Sequence, residues 1–160
     1  MSLSHAHHLF HALEWATTGR HTGSMNAPTT LAYAAVLGLL MSFLSIRVPL
    51  RRAAIDTPWG DGGDTVLATR IRVFGNFTEY VPAILVLMLL AEGTGRAEPL
   101  VLHALGLALV GARLIHAATL RASSPLSTPQ KVGRGSGAML TWLVLLASAS
   151  QALWLSLPPF

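Results

Sequence analysis

Four long apolar runs constrain this 160-residue chain more than any other feature in it. In lipid no water is present to satisfy a backbone N–H or C=O, so a segment must satisfy its own, and a helix of about 20 residues at ~1.5 Å per residue crosses the roughly 30 Å hydrocarbon layer. Segments at about residues 28–48, 72–92, 99–120 and 135–157 meet both conditions. The composition agrees, with 52% hydrophobic and only 11% charged residues, against about 25% charged in soluble domains. The expected fold class is an all-α integral membrane protein, a four-transmembrane-helix up-down bundle within residues 25–160. Cysteine is absent, which excludes disulfides, thiolate metal sites and a cysteine nucleophile. Any thiol chemistry must use a thiol from outside. The net charge of +4 invites a nucleic-acid partner. However, the Lys and Arg residues lie mostly in loops between spans, which membrane topology explains and nucleic acid does not.

Residues 1–24 (MSLSHAHHLFHALEWATTGRHTGS) hold five of the seven histidines and no run long enough to span. His5, His7, His8 and His11 can be written as a metal cluster, but a non-native appendage, misassigned start or mobile tail is the expected reading, with Met25 as an alternative start. In the first span Leu31 to Ile46 is free of charge, and Pro49 is expected to stop the helix beside Arg47, Arg51 and Arg52. Asp61 reads as a turn acid, and Asp64 as the N-cap of a second helix from Thr65 to Glu92 that ends at Gly93. Within it, Pro82 lacks the N–H that would reach the Thr78 carbonyl, so a kink is expected there. On the third span Ala104, Ala108 and Ala112 recur every fourth residue, the small-residue spacing that lets helices approach closely in lipid. Ser123 to Gly133 reads as a polar loop. In the fourth span Ser148 and Gln151 are expected to bond between helices and Trp154 to anchor at the interface. His103, Trp142 and Phe74 read as packing or interfacial residues.

Basic residues divide unevenly between the two ends of the spans. Arg47, Arg51, Arg52, Arg70, Arg72, Arg121, Lys131 and Arg134 fall on one side, eight in all, against Arg20 and Arg96 on the other. The positive-inside rule then puts both termini outside the cytoplasm.

The second helix carries Arg72, Asn76, Glu79 and Tyr80 within about a third of its circumference at ~100° per residue. Ionisable groups at membrane depth cost several kcal/mol unless they face protein or water, so they mark a functional site by default. Arg47, Arg72, Arg113 and Arg134 come near one depth from different helices. Guanidinium groups pair bidentately with carboxylates, a glutamate takes an ammonium group, and an amide reads a peptide backbone, so this set suits a small anionic peptide-like ligand. The competing reading is that Glu79 only neutralises Arg72 or Arg113 between helices.

The pattern Arg72-x-x-x-Asn76-x-x-Glu79-Tyr80-x-Pro82 resembles the second-helix motif of the MAPEG superfamily, the membrane-associated proteins in eicosanoid and glutathione metabolism. The stretch GDGGDTVLATRIRVFGNFTEYVPAILVLMLLAE is similar to its bacterial branch, and the resemblance covers about residues 28–157. It implies a homotrimer in the bacterial inner membrane, with glutathione bound between neighbouring subunits at the cytoplasmic side. Arg72, Asn76, Glu79 and Tyr80 then stand where the family grips glutathione, Arg113 and His116 match its third-helix pair, and Arg47 approximates its first-helix arginine. Arg134 matches the arginine that stabilises the glutathione thiolate, since a nearby positive charge raises the fraction of the attacking thiolate form. Leu120 stands where the family has a tyrosine, so one ligand contact is missing. The implied activity is glutathione transfer to, or glutathione-dependent reduction of, lipophilic electrophiles arriving through the lipid, with no metal. A non-catalytic trimer held by Arg–Glu pairs is the alternative, as is a small four-helix transporter coupled through Glu79. The small multidrug transporters carry such a glutamate in the first span, and here that span has no acid.

Overall fold

In lipid the apolar runs can satisfy their backbone only as helices, and the computed structural model, which describes residues 26–119 and 127–158, forms them. Four helices are present among the described residues: α1 (Pro28–Ala54), α2 (Thr65–Gly93), α3 (Pro99–Thr119) and α4 (Thr128–Ser156). Each is long and apolar enough to cross a membrane. The expectations for residues 1–24, Met25, Leu120 and Arg121 fall outside the described residues.

The helices form a four-cornered bundle in which α1 and α4 each pack against both α2 and α3, while α2 and α3 touch sparsely across the diagonal. Their ends show the alternation: the end of α2 meets the start of α1 through Glu92 and Thr29, and the start of α1 lies beside the start of α3 through Tyr33 and His103. On α2 the buried residues Phe77, Val81, Ile84, Met88 and Ala91 follow alternating steps of four and three, the spacing of a helix that keeps one seam against its neighbours. On α4, Gly137, Thr141, Val144 and Ser148 do the same, and Leu155 continues the seam two turns further on. Leu31, Leu39, Leu107 and Leu153 stay exposed on the outside, which lipid accommodates without cost because its tails are as apolar as leucine.

Polar residues at the helix ends fasten the bundle. The first N–H groups of a helix have no partner within it, and Ala27, the N-cap of α1, offers no side-chain acceptor. Glu92 supplies one from across the bundle: the Thr29 N–H donates to its Oε1 at 2.9 Å and the Thr30 N–H to its Oε2 at 2.7 Å. Replacing Glu92 by Ala is expected to cost about 1–2 kcal/mol, the usual worth of an N-cap. Thermal unfolding in detergent would test this, with Glu92→Gln falling between the two, and an unchanged melting temperature in Glu92→Ala would refute it. At the same membrane face Arg96 Nη1 donates to the terminal carbonyls of Leu155 (2.9 Å) and Leu157 (3.1 Å).

At the opposite end Asp64 caps α2 through the Leu67 N–H at 2.6 Å, as its position before the apolar run implies, and also accepts two bonds from Arg51, at 3.1 and 2.6 Å. These two partners, Arg51 first and then Leu67, hold its carboxyl below the usual aspartate range.

Three helix boundaries differ from expectation. Pro49 lies inside α1, which continues to Ala54. The proline removes only the bond to the Ser45 carbonyl, and beyond it Arg51 is tied to Asp64 while Arg70 Nη1 donates to the Arg47 carbonyl at 2.8 Å. Gly93 is the last residue of α2 rather than its stop; Gly95, at φ +67°, makes the turn. Helix α4 begins at Thr128 instead of Gly135, because Gln130 Oε1 accepts from both the backbone N–H (2.8 Å) and the hydroxyl (2.9 Å) of Ser127, much of a capping box. Two packing expectations also change. Ala104 is exposed and Ala108 half-buried; close approaches are instead made at Gly106, where an added Cβ would run into the Tyr33 ring, at Gly133, where it would run into Thr119, and at Gly137. The buried Ser148 Oγ and Gln151 Oε1 have no hydrogen-bond partner among the described residues.

Candidate functional site

The exposed face of α2 carries Arg72, Asn76, Glu79, Ala83, Val86 and Leu90 at the same four-three spacing as its buried seam, so it forms a second stripe, polar at one end and apolar at the other. Arg72 and Glu79 are exposed, and neither side chain bonds or pairs with another described residue. Asn76 is half-buried and its Nδ2 donates to the Arg72 carbonyl at 3.1 Å, which leaves its side-chain oxygen uncommitted among the described residues. Tyr80 packs its ring against the core.

Arg113 turns the other way. Its side chain is 3% exposed, and its guanidinium reaches two other helices. Nη1 donates to the Asn76 carbonyl of α2 at 3.1 Å, and Nη2 donates to the Gly137 carbonyl at 3.4 Å and to the hydroxyl of Thr141, both on α4. Its Nε has no partner among the described residues. Thr141 in turn donates to the Gly137 carbonyl at 2.8 Å. Gly137 makes this geometry available: a Cβ there would lie 3.1 Å from the Ala112 carbonyl and from the backbone nitrogen and Cβ of His116. His116, one turn beyond Arg113, is also buried. Arg113, Arg134 and Arg72 all lie within electrostatic reach of its ring, and Tyr80 within reach of Arg113.

The structure therefore gathers Arg72, Arg113, His116 and Arg134 at one end of the bundle, with Asn76 and Tyr80 beside them. Among the described residues the charged groups that reach His116 are all arginines, and no carboxylate forms an ion pair with Arg72, Arg113 or Arg134. Arg134 is exposed and lies in the second turn of α4, not at its start, because the helix begins earlier than expected. Arg47 stands apart, with Cζ 5.3 Å from the Phe43 ring centroid and its side chain lining a crevice with Arg70. The intrasubunit pairing of Glu79 with Arg72 or Arg113 is not made. Thr141 and Gly137 escaped the sequence reading; the available signal was a glycine followed four residues later by a hydroxyl within an apolar span, which puts both on one helix face.

His103 is exposed, with its Nδ1 3.1 Å from the Tyr33 hydroxyl at the far end of the bundle. Trp142 is 57% exposed on the outer surface and Phe74 packs against the core, as packing or lipid-facing residues. Among the described residues no group of three His, Cys, Asp or Glu is placed to hold a metal ion.

The model of the MAPEG family matches residues 30–154. The chain belongs to the MAPEG family. This MAPEG chain is also similar to the inner membrane protein YecN of Escherichia coli K12, 34% identical over 122 residues that cover 76% of this chain and 88% of that protein. YecN of Escherichia coli O6:H1 is similar to the same extent, 34% over 122 residues. No solved structure matches the chain significantly. With four spans and an inner-membrane relative, this MAPEG protein is an integral protein of the inner membrane.

Proposed function

We propose that this MAPEG protein binds glutathione at the Arg72–Arg113–His116–Arg134 end of the bundle, and that it conjugates glutathione to lipophilic electrophiles or uses it to reduce lipid hydroperoxides. The observation that carries this reading is the buried Arg113 guanidinium, which among the described residues keeps an unspent N–H and sits with further arginines and no paired carboxylate. A buried charge without an opposite charge is costly, and an anionic ligand removes that cost. The tripeptide supplies two carboxylates for Arg72 and Arg113, an ammonium group for Glu79, and amides for the side-chain oxygen of Asn76. Arg134 stabilises the thiolate. In conjugation the sulfur forms a bond to the electrophilic carbon as the leaving group departs. In the peroxidase reaction two glutathiones are oxidised to the disulfide while the hydroperoxide becomes an alcohol and water.

The exposed stripe on α2 supports assembly as a homotrimer, a neighbouring subunit covering Ala83, Val86 and Leu90 and completing the ligand site around Arg72 and Glu79. The eight-to-two division of basic residues supports a cytoplasmic location for this end. A second reading, a non-catalytic trimer in which Arg72 and Glu79 pair between subunits, is favoured by the fact that both side chains are exposed and unpaired among the described residues. Transport coupled through Glu79 is disfavoured, because that carboxylate lies on the outer face of α2 and not in the bundle interior.

Calorimetry of glutathione with detergent-purified protein tests the proposal. Saturable binding is expected, weakened at least about tenfold in Arg72→Ala and in Glu79→Ala, which corresponds to about 1.4 kcal/mol. Absence of binding at high glutathione, with a trimer that falls apart in Glu79→Ala, would leave the non-catalytic reading.

A further inference from the structure

A second polar feature lies where α1, α2 and α3 meet near the same end of the bundle, on another side of α2. Arg70 and Arg72 are two residues apart, hence about 200° apart around the helix, so Arg70 points away from the Arg72 stripe. It lines a small crevice with Leu44, Arg47, Thr69, Val73 and Ala117. The chemistry of this crevice is divided. Leu44, Val73 and Ala117 make an apolar wall that continues into the hydrophobic part of the bundle. Arg47 and Arg70 bring two guanidinium groups to its mouth.

These two charges are not neutralised. Among the described residues Asp64 is the carboxylate that acts on Arg70, and that carboxylate is occupied by Arg51 at 2.6 Å and by the Leu67 N–H. Arg70 spends one N–H on the Arg47 carbonyl and keeps its Nε buried with no partner. The Arg47 side chain makes no polar bond among the described residues and rests on the Phe43 ring at 5.3 Å. The Thr69 hydroxyl donates back to the Thr65 carbonyl at 2.7 Å, so it offers the crevice an acceptor and a methyl group, not a donor. Two like charges with donors to spare, set side by side where a helical bundle ends, call for a shared anion. The apolar wall beside them calls for a molecule whose anionic group is joined to hydrocarbon.

We infer that the crevice between Arg47 and Arg70 is a binding site for the phosphodiester of an anionic phospholipid, its acyl chains running along Leu44, Val73 and Ala117. The anion is shared chemistry between a lipid headgroup and free phosphate; the apolar wall selects the lipid. A zwitterionic headgroup is disfavoured because its ammonium group would be brought toward two guanidiniums. Basic pockets between spans at a membrane face are suited to such headgroups.

Native mass spectrometry of the detergent-purified full chain, titrated with phosphatidylglycerol or with phosphatidylcholine, tests this. The wild type is expected to retain phosphatidylglycerol in preference to phosphatidylcholine. Retention should fall about fivefold in Arg70→Gln, equivalent to the roughly 1 kcal/mol that one basic residue contributes at an anionic surface. Ala117→Leu should fall as far by filling the crevice while leaving both arginines in place. Arg70→Lys, which keeps the charge, should retain the lipid and serves as the folded variant should Arg70→Gln lose its helices. Equal retention of the two lipids, or retention unchanged by Ala117→Leu, would overturn the inference. Displacement of phosphatidylglycerol by inorganic phosphate would also overturn it and reassign the crevice to free phosphate. Glutathione should leave lipid retention unaltered, so the outcome is independent of the proposed glutathione site.

Discussion

Arg113→Met is expected to lose measurable glutathione binding while the subunit melts at the wild-type temperature or above it. The two halves of this result have separate physical causes. The guanidinium is buried and tied to α2 and α4, so in the free protein it is a desolvated cation without an opposite charge. Replacing a buried charge by an apolar side chain of similar volume is often neutral or stabilising. The acceptors left behind are not orphaned: the Thr141 hydroxyl still donates to the Gly137 carbonyl, and the Asn76 carbonyl lies within helix α2. Ligand binding, by contrast, loses the charge that a glutathione carboxylate pairs with in the proposed site. Truncating one partner of such a pair costs about 2–5 kcal/mol, roughly thirtyfold to several thousandfold in affinity. Calorimetry and thermal unfolding on the same sample separate the halves. A folded variant that binds glutathione like the wild type would remove Arg113 from the site. A variant that loses its fold would make the residue structural glue.

Gly137→Ala should damage both stability and binding. Its new methyl group would stand 3.1 Å from the Ala112 carbonyl and from two atoms of His116, and two of those three atoms are backbone, which cannot rotate away. The α3–α4 contact must open. Overpacking of this kind costs about 1–3 kcal/mol. Because the Gly137 carbonyl and Thr141 hold Nη2 of Arg113, the displacement also carries the guanidinium off its position. Gly38→Ala is the matched control: no atom lies within 4 Å of its added Cβ, and alanine is the better helix former by about 0.5–1 kcal/mol. Melting curves in one detergent should place Gly137→Ala well below the wild type and Gly38→Ala at or above it. Equal melting temperatures for the two variants would show that the bundle absorbs the methyl group at the α3–α4 crossing.

Much of this architecture was legible before any coordinates. Apolar length dictated the four spans, because lipid leaves a backbone no other way to satisfy itself. The chemistry of single residues dictated the Asp64 cap. The motif of Arg72, Asn76, Glu79 and Tyr80 pointed to the family that the match over residues 30–154 establishes. Structure departs from expectation where one local rule competes with a tertiary one. Pro49 reads as a stop, yet it removes a single bond from a helix whose next turn is held by Arg51 and Asp64. Helix α4 starts earlier than its apolar run because Ser127 and Gln130 cap it from within a stretch that reads as polar loop.

What the sequence by itself determined was which residues share a helix, and at what depth and on which face of it they lie, because spacing along one helix fixes angle and rise. Which way each long side chain turns was decided only by the tertiary structure. Arg72 and Arg113 are the same residue type near the same end of the bundle, yet one is exposed and the other 3% exposed. The difference lies on a third helix, where Gly137 lets α4 come close and Thr141 offers an acceptor. Arg47 likewise faces Arg70 and not the α2 stripe because the crevice exists only once α1, α2 and α3 have packed. A flexible guanidinium has no direction of its own until neighbouring helices supply the space and the partners that make one rotamer lower in free energy than the rest.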